Sequence, residues 1–334
     1  MNNYAQYLEH FSNLSVAVVG DLMIDRYIFG QATRISPEAP VPIVLVQKEN
    51  AVPGGAANVA RNILSLHSKV AVFGSIGVDN SGKQLQELLQ TAGANIDGVI
   101  IRSDFPTTEK IRLLADNQQI ARIDRENTHA LSEKKQEILL QKLENAIANH
   151  EIQAIILEDY AKGCLTFSFI EKIIRIAQQY NIFVTLDPHP ANNFEISGLH
   201  LMTPNRKEAF ALAKMPYQPG INHPLEDKAL LEIGAIIMQT WQPKNLLITL
   251  GNEGMVLFKS ESSQPLHIPT QAQQVFDVSG AGDTVMATMT LALLAGAPPF
   301  EAAAIANHAA GIVIGQIGTA AISYQTLLSK VQGQ

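Results

Sequence analysis

Cysteine is almost missing from this chain: Cys164 is the single one among 334 residues. No intrachain disulfide and no cysteine-based zinc cluster can form, and a reducing cytoplasm is the expected setting. Charge is sparse too, at 16% of residues, and nowhere gathers into a basic block. With 24 Lys and Arg against 31 Asp and Glu the formal net charge is −7, which argues against a sequence-independent nucleic-acid binder. Anionic small molecules stay open as substrates, since they need only a few local cations. The longest apolar run, residues 285–297, carries Thr288 and Thr290 and is too short to cross a bilayer. The opening MNNYAQYLEHFSNLS has neither the basic nor the apolar segment of a signal peptide. No membrane association is expected.

Several chemical signatures are also lacking. No GxGxxG follows the first strand-like run, which speaks against a nicotinamide dehydrogenase, and neither HExxH nor GxSxG occurs. Residues 77–84, GVDNSGKQ, have Walker A spacing, but Gln84 stands where a Ser or Thr must reach Mg²⁺.

What the chain does contain is apolar bulk, 46% of its residues, cut into alternating strand-like and helix-like segments. Its length allows two domains or one large α/β domain. SVAVVGD (15–21), KVAVFGSIG (69–77), AIILED (154–159), IFVTLDP (182–188), HLMTPN (200–205) and NLLITLG (245–251) read as buried strands. Helical spacing separates several of them, as in 57–66, 81–93 and 168–180. That rhythm predicts βαβ units and a parallel sheet. VPIVLVQ (41–47) and KIRLLADNQQIARID (110–124) break it, reading as extra strands that would form a small β lid over a site on the main sheet, or else edge strands. The loop 215–227 is expected to be the most flexible connection.

Residues 275–296, VFDVSGAGDTVMATMTLALLAG, carry the most chemistry. A β-like run enters Ser279-Gly280-Ala281-Gly282, and an apolar helix is expected from Asp283. Small residues leave backbone N–H groups uncovered, and the first amides of a helix lack acceptors, so this is a cradle for a phosphate. Asp283 at its mouth would take a proton from an attacking hydroxyl; it would serve equally as a helix cap. Gly54 and Gly55 in GGAANVARN allow close approach of a ligand, with Asn58 offering an amide to a polyol, or they are simply a helix entry. Asp21 and Asp25, in GDLMIDR, fall at and beyond a strand end, where either would accept from sugar hydroxyls or cap a loop.

GGAANVARN and DVSGAGDT resemble the two signatures of the ribokinase-like (PfkB) sugar kinases. TPNRKEA (203–209) is similar to that family's N-x-x-E element and TLGNEG (249–254) to its nucleotide loop. The resemblance implies an α/β fold: a ribokinase-like three-layer sandwich with a mostly parallel central sheet. It implies one kinase domain over 1–334, with lid segments at about 38–50 and 98–124. It further implies transfer of the γ-phosphoryl of ATP, with Mg²⁺, to a sugar or sugar phosphate. Asp283 would be the base, with Gly280, Ala281 and Gly282 supplying amides. Asn205, Lys207, Glu208, Thr249, Gly251, Gly254 and Asn307 would serve the nucleotide, Asn205 and Glu208 organising Mg²⁺ through water. Asp25, Gly54, Gly55 and Asn58 would hold the sugar.

GDLMIDRYIFGQATRISPEAPVPIV, DYAKG (159–163) and NHAAGIVIGQIGTA (307–320) resemble the family branch acting on D-glycero-D-manno-heptose 7-phosphate in lipopolysaccharide core synthesis. Its bifunctional members carry a following adenylyltransferase domain; with the sequence ending at Gln334, only the kinase step is expected. Arg112, Arg122 and Lys162 would then grip the substrate phosphate. Departures from the pattern are His67 and Thr288 at small-residue positions, His189 where DPKG has lysine, and Glu158 where that branch has Ser. A ribokinase, fructokinase, phosphofructokinase or nucleoside kinase is the alternative, and a non-catalytic sugar sensor the one from another class. A homodimer joined through open lid edges is expected, because such edges tend to be paired or covered.

Overall fold

A computed structural model describes residues 4–116, 118–221, 223–271, 278–316 and 318–332. After a short helix α1 (Ala5–Leu8), strand β1 (Ser15–Gly20) enters the interior. The chain then leaves as a long antiparallel hairpin, β2 (Leu22–Ile35) and β3 (Pro42–Gly55), and returns through α2 (Ala56–Ser65) to β4 (Lys69–Gly77). Next come α3 (Asn80–Thr91), β5 (Asn95–Arg102), and the antiparallel pair β6 (Thr108–Ala115) and β7 (Gln118–Arg125). The succession α4 (Glu133–Ala148), β8 (Ala154–Glu158), α5 (Phe167–Gln179), β9 (Phe183–Asp187), β10 (Leu201–Met202) and α6 (Arg206–Leu212) follows. The last part holds α7 (Lys228–Thr240), β11 (Asn245–Thr249), β12 (Met255–Lys259), β13 (Ser262–Ile268), α8 (Ala281–Leu294), α9 (Pro299–Val313) and α10 (Tyr324–Gln332).

Among the described residues the main sheet has the order β13-β12-β11-β10-β9-β8-β1-β4-β5 and is parallel except that β12 runs against both neighbours. Its strands are apolar on both faces because each face is covered. Val16, Val18 and Ile156 point into one core with α2, α8 and α9, while Ala17, Val19, Ile155 and Leu157 point into a second with α4, α5, α6 and α7. The period-two alternation of a strand thus distributes one apolar run between two layers of helices. This is the expected three-layer sandwich with a mostly parallel central sheet.

A second sheet, β3-β2-β6-β7, stands off the first. Its composition differs from the expected segments in two ways. Residues 98–102 belong to β5, paired in parallel with β4 at the edge of the main sheet, because α3 carries the chain back over one crossover. The small sheet instead gains β2, fourteen residues that continue from β1 after the single break at Asp21. In the connection 215–227, expected to be flexible, residues 218, 219 and 227 are held by Arg206. Arg206 donates to the Gln218 and Pro219 carbonyls at 3.0 and 3.1 Å and pairs with buried Asp227.

Candidate active site

Parallel strands and the starts of the following helices gather their polar ends on one side of a sheet, and here β1, β8 and β9 meet the N-terminus of α8. Gly280 is the residue before α8, at φ +78°, a left-handed conformation that costs glycine little. A Cβ there would also lie 2.7 Å from the Asn58 amide and 2.9 Å from Thr319 Cγ2. The helix begins at Ala281, two residues earlier than the expected Asp283. The Ala281 amide closes a turn on the Val278 carbonyl at 3.2 Å, so it is not the free donor expected of it. Among the described residues no acceptor faces the Gly282 or Asp283 amides, which leaves these two to an incoming anion. The expected β-like entry at 275–277 lies outside the described residues.

Asp283 is 5% exposed and held from both sides. Tyr160 Oη donates to Oδ1 at 2.5 Å and Asn58 Nδ2 to Oδ2 at 2.6 Å. Burial raises its pKa, with these two hydrogen bonds pulling the other way. Tyr160 was not foreseen, and neither was the scaffold beneath it. Asp21, one of the two acids offered to the sugar, accepts instead from the amides of Tyr160, Lys162 and Cys164 at 2.9, 3.0 and 2.9 Å. It shapes the loop after β8 and presents Tyr160. Asp21→Ala leaves three backbone N–H groups without their acceptor, a loss on the order of 1–3 kcal/mol for each one that stays buried. Urea unfolding is expected to show the lower midpoint and steady-state assay a fall in turnover; wild-type values in both would refute this role.

Behind Asp283 sit Glu158 and Asp187, the last residues of β8 and β9, with carboxylate oxygens of all three within 4.8 Å of one another. Glu158 is wholly buried and neither oxygen has a hydrogen-bond partner. Burial first, then Asp187 and Asp283, push its pKa well above the carboxylate range. Asp187 is raised by burial and by Glu208, and accepts from Thr203 Oγ1 at 3.0 Å. The unexpected acid at position 158 is therefore a member of this cluster.

Thr249, Gly251, Gly254 and Asn307, expected to serve the nucleotide, line one cleft of about 410 Å³ together with Gly282. Asn307 faces it while donating to the Pro269 carbonyl at 2.6 Å. Asn205 and Glu208 do not point freely at it. They form a capping box on α6, Asn205 Oδ1 accepting from the Glu208 amide at 3.0 Å and Glu208 Oε2 from the Asn205 amide at 2.8 Å. One oxygen of Glu208 remains outside that exchange. Lys207 is exposed and does not line the cleft.

Of the residues expected to hold the sugar, Gly54 adjoins Asp25, while Gly55 precedes α2, whose first turn carries Asn58 to Asp283. Asp25 is 6% exposed, and a Cβ on Gly54 would lie 2.5 Å from its Oδ2. Its Oδ1 already accepts from Arg112 at 2.6 Å. Lys162 pairs with Glu126 at 2.9 Å. Arg122 is half exposed and binds Asp124 through two bonds of 2.9 Å, so it is a surface pair and not a free anion grip.

A buried carboxylate, two helix amides with no described acceptor and an adjoining cleft at the polar ends of a parallel sheet fit a phosphoryl-transfer enzyme acting on an alcohol. Comparison with known proteins agrees. The model of the pfkB family carbohydrate kinases matches residues 13–327. A bifunctional protein HldE from Desulfatibacillum aliphaticivorans is 39% identical over 325 residues, 97% of this chain and 64% of that protein. The chain thus spans just under two thirds of the length of that relative. Arabidopsis thaliana ribokinase complexed with ribose and ATP superposes at a TM-score of 0.71 with 20% identity, covering 96% of this chain and 98% of that one. Escherichia coli phosphofructokinase-2, in its tetrameric inhibited form, gives 0.75 with 18% identity over 96% and 98%. The chain belongs to the pfkB family of carbohydrate kinases, phosphotransferases that act on sugars. No described helix is long and apolar enough to cross a membrane.

Proposed function

We propose that this protein transfers the γ-phosphoryl of ATP to the anomeric hydroxyl of D-glycero-D-manno-heptose 7-phosphate, giving the 1,7-bisphosphate used to build a lipopolysaccharide core. The hydrogen-bonded carboxylate of Asp283 beside the open amides of α8 supports the kinase chemistry. The DYAKG segment (159–163) and the 39% identity to an HldE protein support the heptose.

ATP would lie along Thr249, Gly251, Gly254 and Asn307, with its terminal phosphate at the start of α8. The sugar would lie on Asp25, Gly54, Gly55 and Asn58. Asp283 takes the proton of the attacking hydroxyl as its oxygen bonds to phosphorus and the bond to the β-phosphate oxygen breaks. Tyr160 and Asn58 hold Asp283 in place. The Gly282 and Asp283 amides receive charge spreading over the moving group. Hard oxygen donors with unsatisfied buried lone pairs suit Mg²⁺. Glu158 and Asp187, with the outer oxygen of Glu208 through water, would hold the ion, which when bound neutralises charge on the phosphates. The small sheet would close as a lid and exclude water, which otherwise competes as acceptor.

ADP release measured with heptose 7-phosphate, fructose 6-phosphate and ribose tests the reading. The heptose phosphate is expected to give the highest kcat/KM by at least tenfold. Preference for either other sugar would sink the heptose assignment; no turnover with any sugar would point to a sensor. Leu45, Val46, Ile120 and Ile123 leave apolar surface open on the small sheet, and a second copy of the chain would cover it. Sedimentation is expected to show a dimer that Leu45→Glu dissociates.

A further inference from the structure

The acids around the rim of the sugar site are matched one by one: Asp25 to Arg112, Asp124 to Arg122, Glu126 to Lys162. One cation is left over. Lys110 lies two residues from Arg112 on β6, hence on the same face, and sits opposite Asp25 of β2 and Asp124 of β7 in register. Among the described residues no carboxylate oxygen comes within the 4.0 Å of an ion pair. Its ammonium lies 5.5 Å from the centre of the Tyr160 ring, whose hydroxyl is bonded to Asp283. It is half-buried, and burial first, with Lys162 and Arg112, lowers its pKa, while Asp25 and Asp124 oppose. His189, a departure from the family lysine, completes the group. Its Nδ1 accepts from the Ala191 amide at 3.2 Å, so the neutral ring carries its proton on Nε2. Lys162 and Lys110 both act on this ring electrostatically.

Half-buried positive charge that touches no carboxylate directly, and whose charged form is disfavoured on balance, is stabilised by an anion. Building on the sugar-phosphate reading above, we propose that Lys110, with the Nε2–H of His189, grips the phosphate at the far end of the sugar, in place of the expected Arg112, Arg122 and Lys162, each already paired with a carboxylate. Arg112 instead fixes Asp25, which faces the sugar hydroxyls.

The test uses the full chain, ATP, and two acceptors: the heptose 7-phosphate and the same heptose without phosphate. Lys110→Met is expected to raise KM for the phosphorylated sugar about 10- to 100-fold, the scale of one lost hydrogen bond between charged groups. KM for the plain sugar and kcat for both should change less than threefold, and Lys110→Arg should restore most of the loss. Equal falls in kcat with both acceptors would place Lys110 on the moving phosphoryl group and overturn the inference, as would an unchanged KM. If the wild-type enzyme itself does not distinguish the two acceptors, the sugar-phosphate reading fails and takes the grip with it. His189→Phe, outside the small sheet, gives the same comparison should Lys110→Met not fold.

Discussion

Asp283→Asn is expected to fold, to bind ATP, and to lose turnover by about 10²–10⁴, the usual contribution of a positioned general base. The substitution keeps the volume at the start of α8 and retains an oxygen for Asn58 and a group for the Tyr160 hydroxyl, so packing is preserved. What it removes is a site for the proton. Because the Gly282 and Asp283 amides belong to the backbone, the phosphate cradle survives. The loss should therefore fall on kcat and leave ATP binding, read by calorimetry, within a few-fold of wild type. Near-normal turnover would take Asp283 out of the chemistry. Weakened ATP binding with intact kcat would make it a cap, the other reading its position allowed from the start.

Glu158→Gln is expected to act on stability, with the opposite sign to most core changes. A buried carboxylate with no hydrogen-bond partner is held well above its ordinary pKa, so the folded chain keeps a proton that the unfolded chain releases. The folded state then binds more protons, and stability falls as pH rises above the ordinary carboxylate range, at about 1.4 kcal/mol per pH unit for one such group. In EDTA, Glu158→Gln should raise the melting temperature at pH 8 and flatten its decline between pH 6 and 8. Added Mg²⁺ should raise the midpoint of wild type more than that of the variant. An unchanged pH slope would mean that Glu158 stays ionised in the folded chain after all. Equal shifts with Mg²⁺ would remove it from the set that holds the ion.

The parts of this molecule legible from sequence are those that repeat a local rule. Apolar runs such as 15–20 and 154–158 announce buried strands, and a glycine-rich turn before a helix announces Asp283. Glu158, Asp187 and Tyr160 carry no such mark. They meet Asp283 only because β8, β9 and α8 end at one place, and nothing within a few residues of each encodes that meeting. Ion pairing is equally silent in sequence. Arg112 and Arg122 look like better anion grips than Lys110 until the register of β6 with its neighbours shows which carboxylates are already spoken for. The lid was misdrawn for a related reason. Alternation identifies a strand but not the sheet it joins, so β5 went to the wrong one and β2 to none.

The small sheet is tied to the body by four chain segments: Asp21 between β1 and β2, the step from Gly55 into α2, and the connections β5–β6 and β7–α4. The first two are set side by side, with the Ala56 amide bonded to the Asp21 carbonyl at 3.2 Å. Helix α2 carries Asn58, and the Asp21 carboxylate takes the amide of Tyr160, so the two residues clasping Asp283 are mounted on that one corner. A flap that swung there would loosen its own latch on Asp283, coupling the door to readiness for proton transfer.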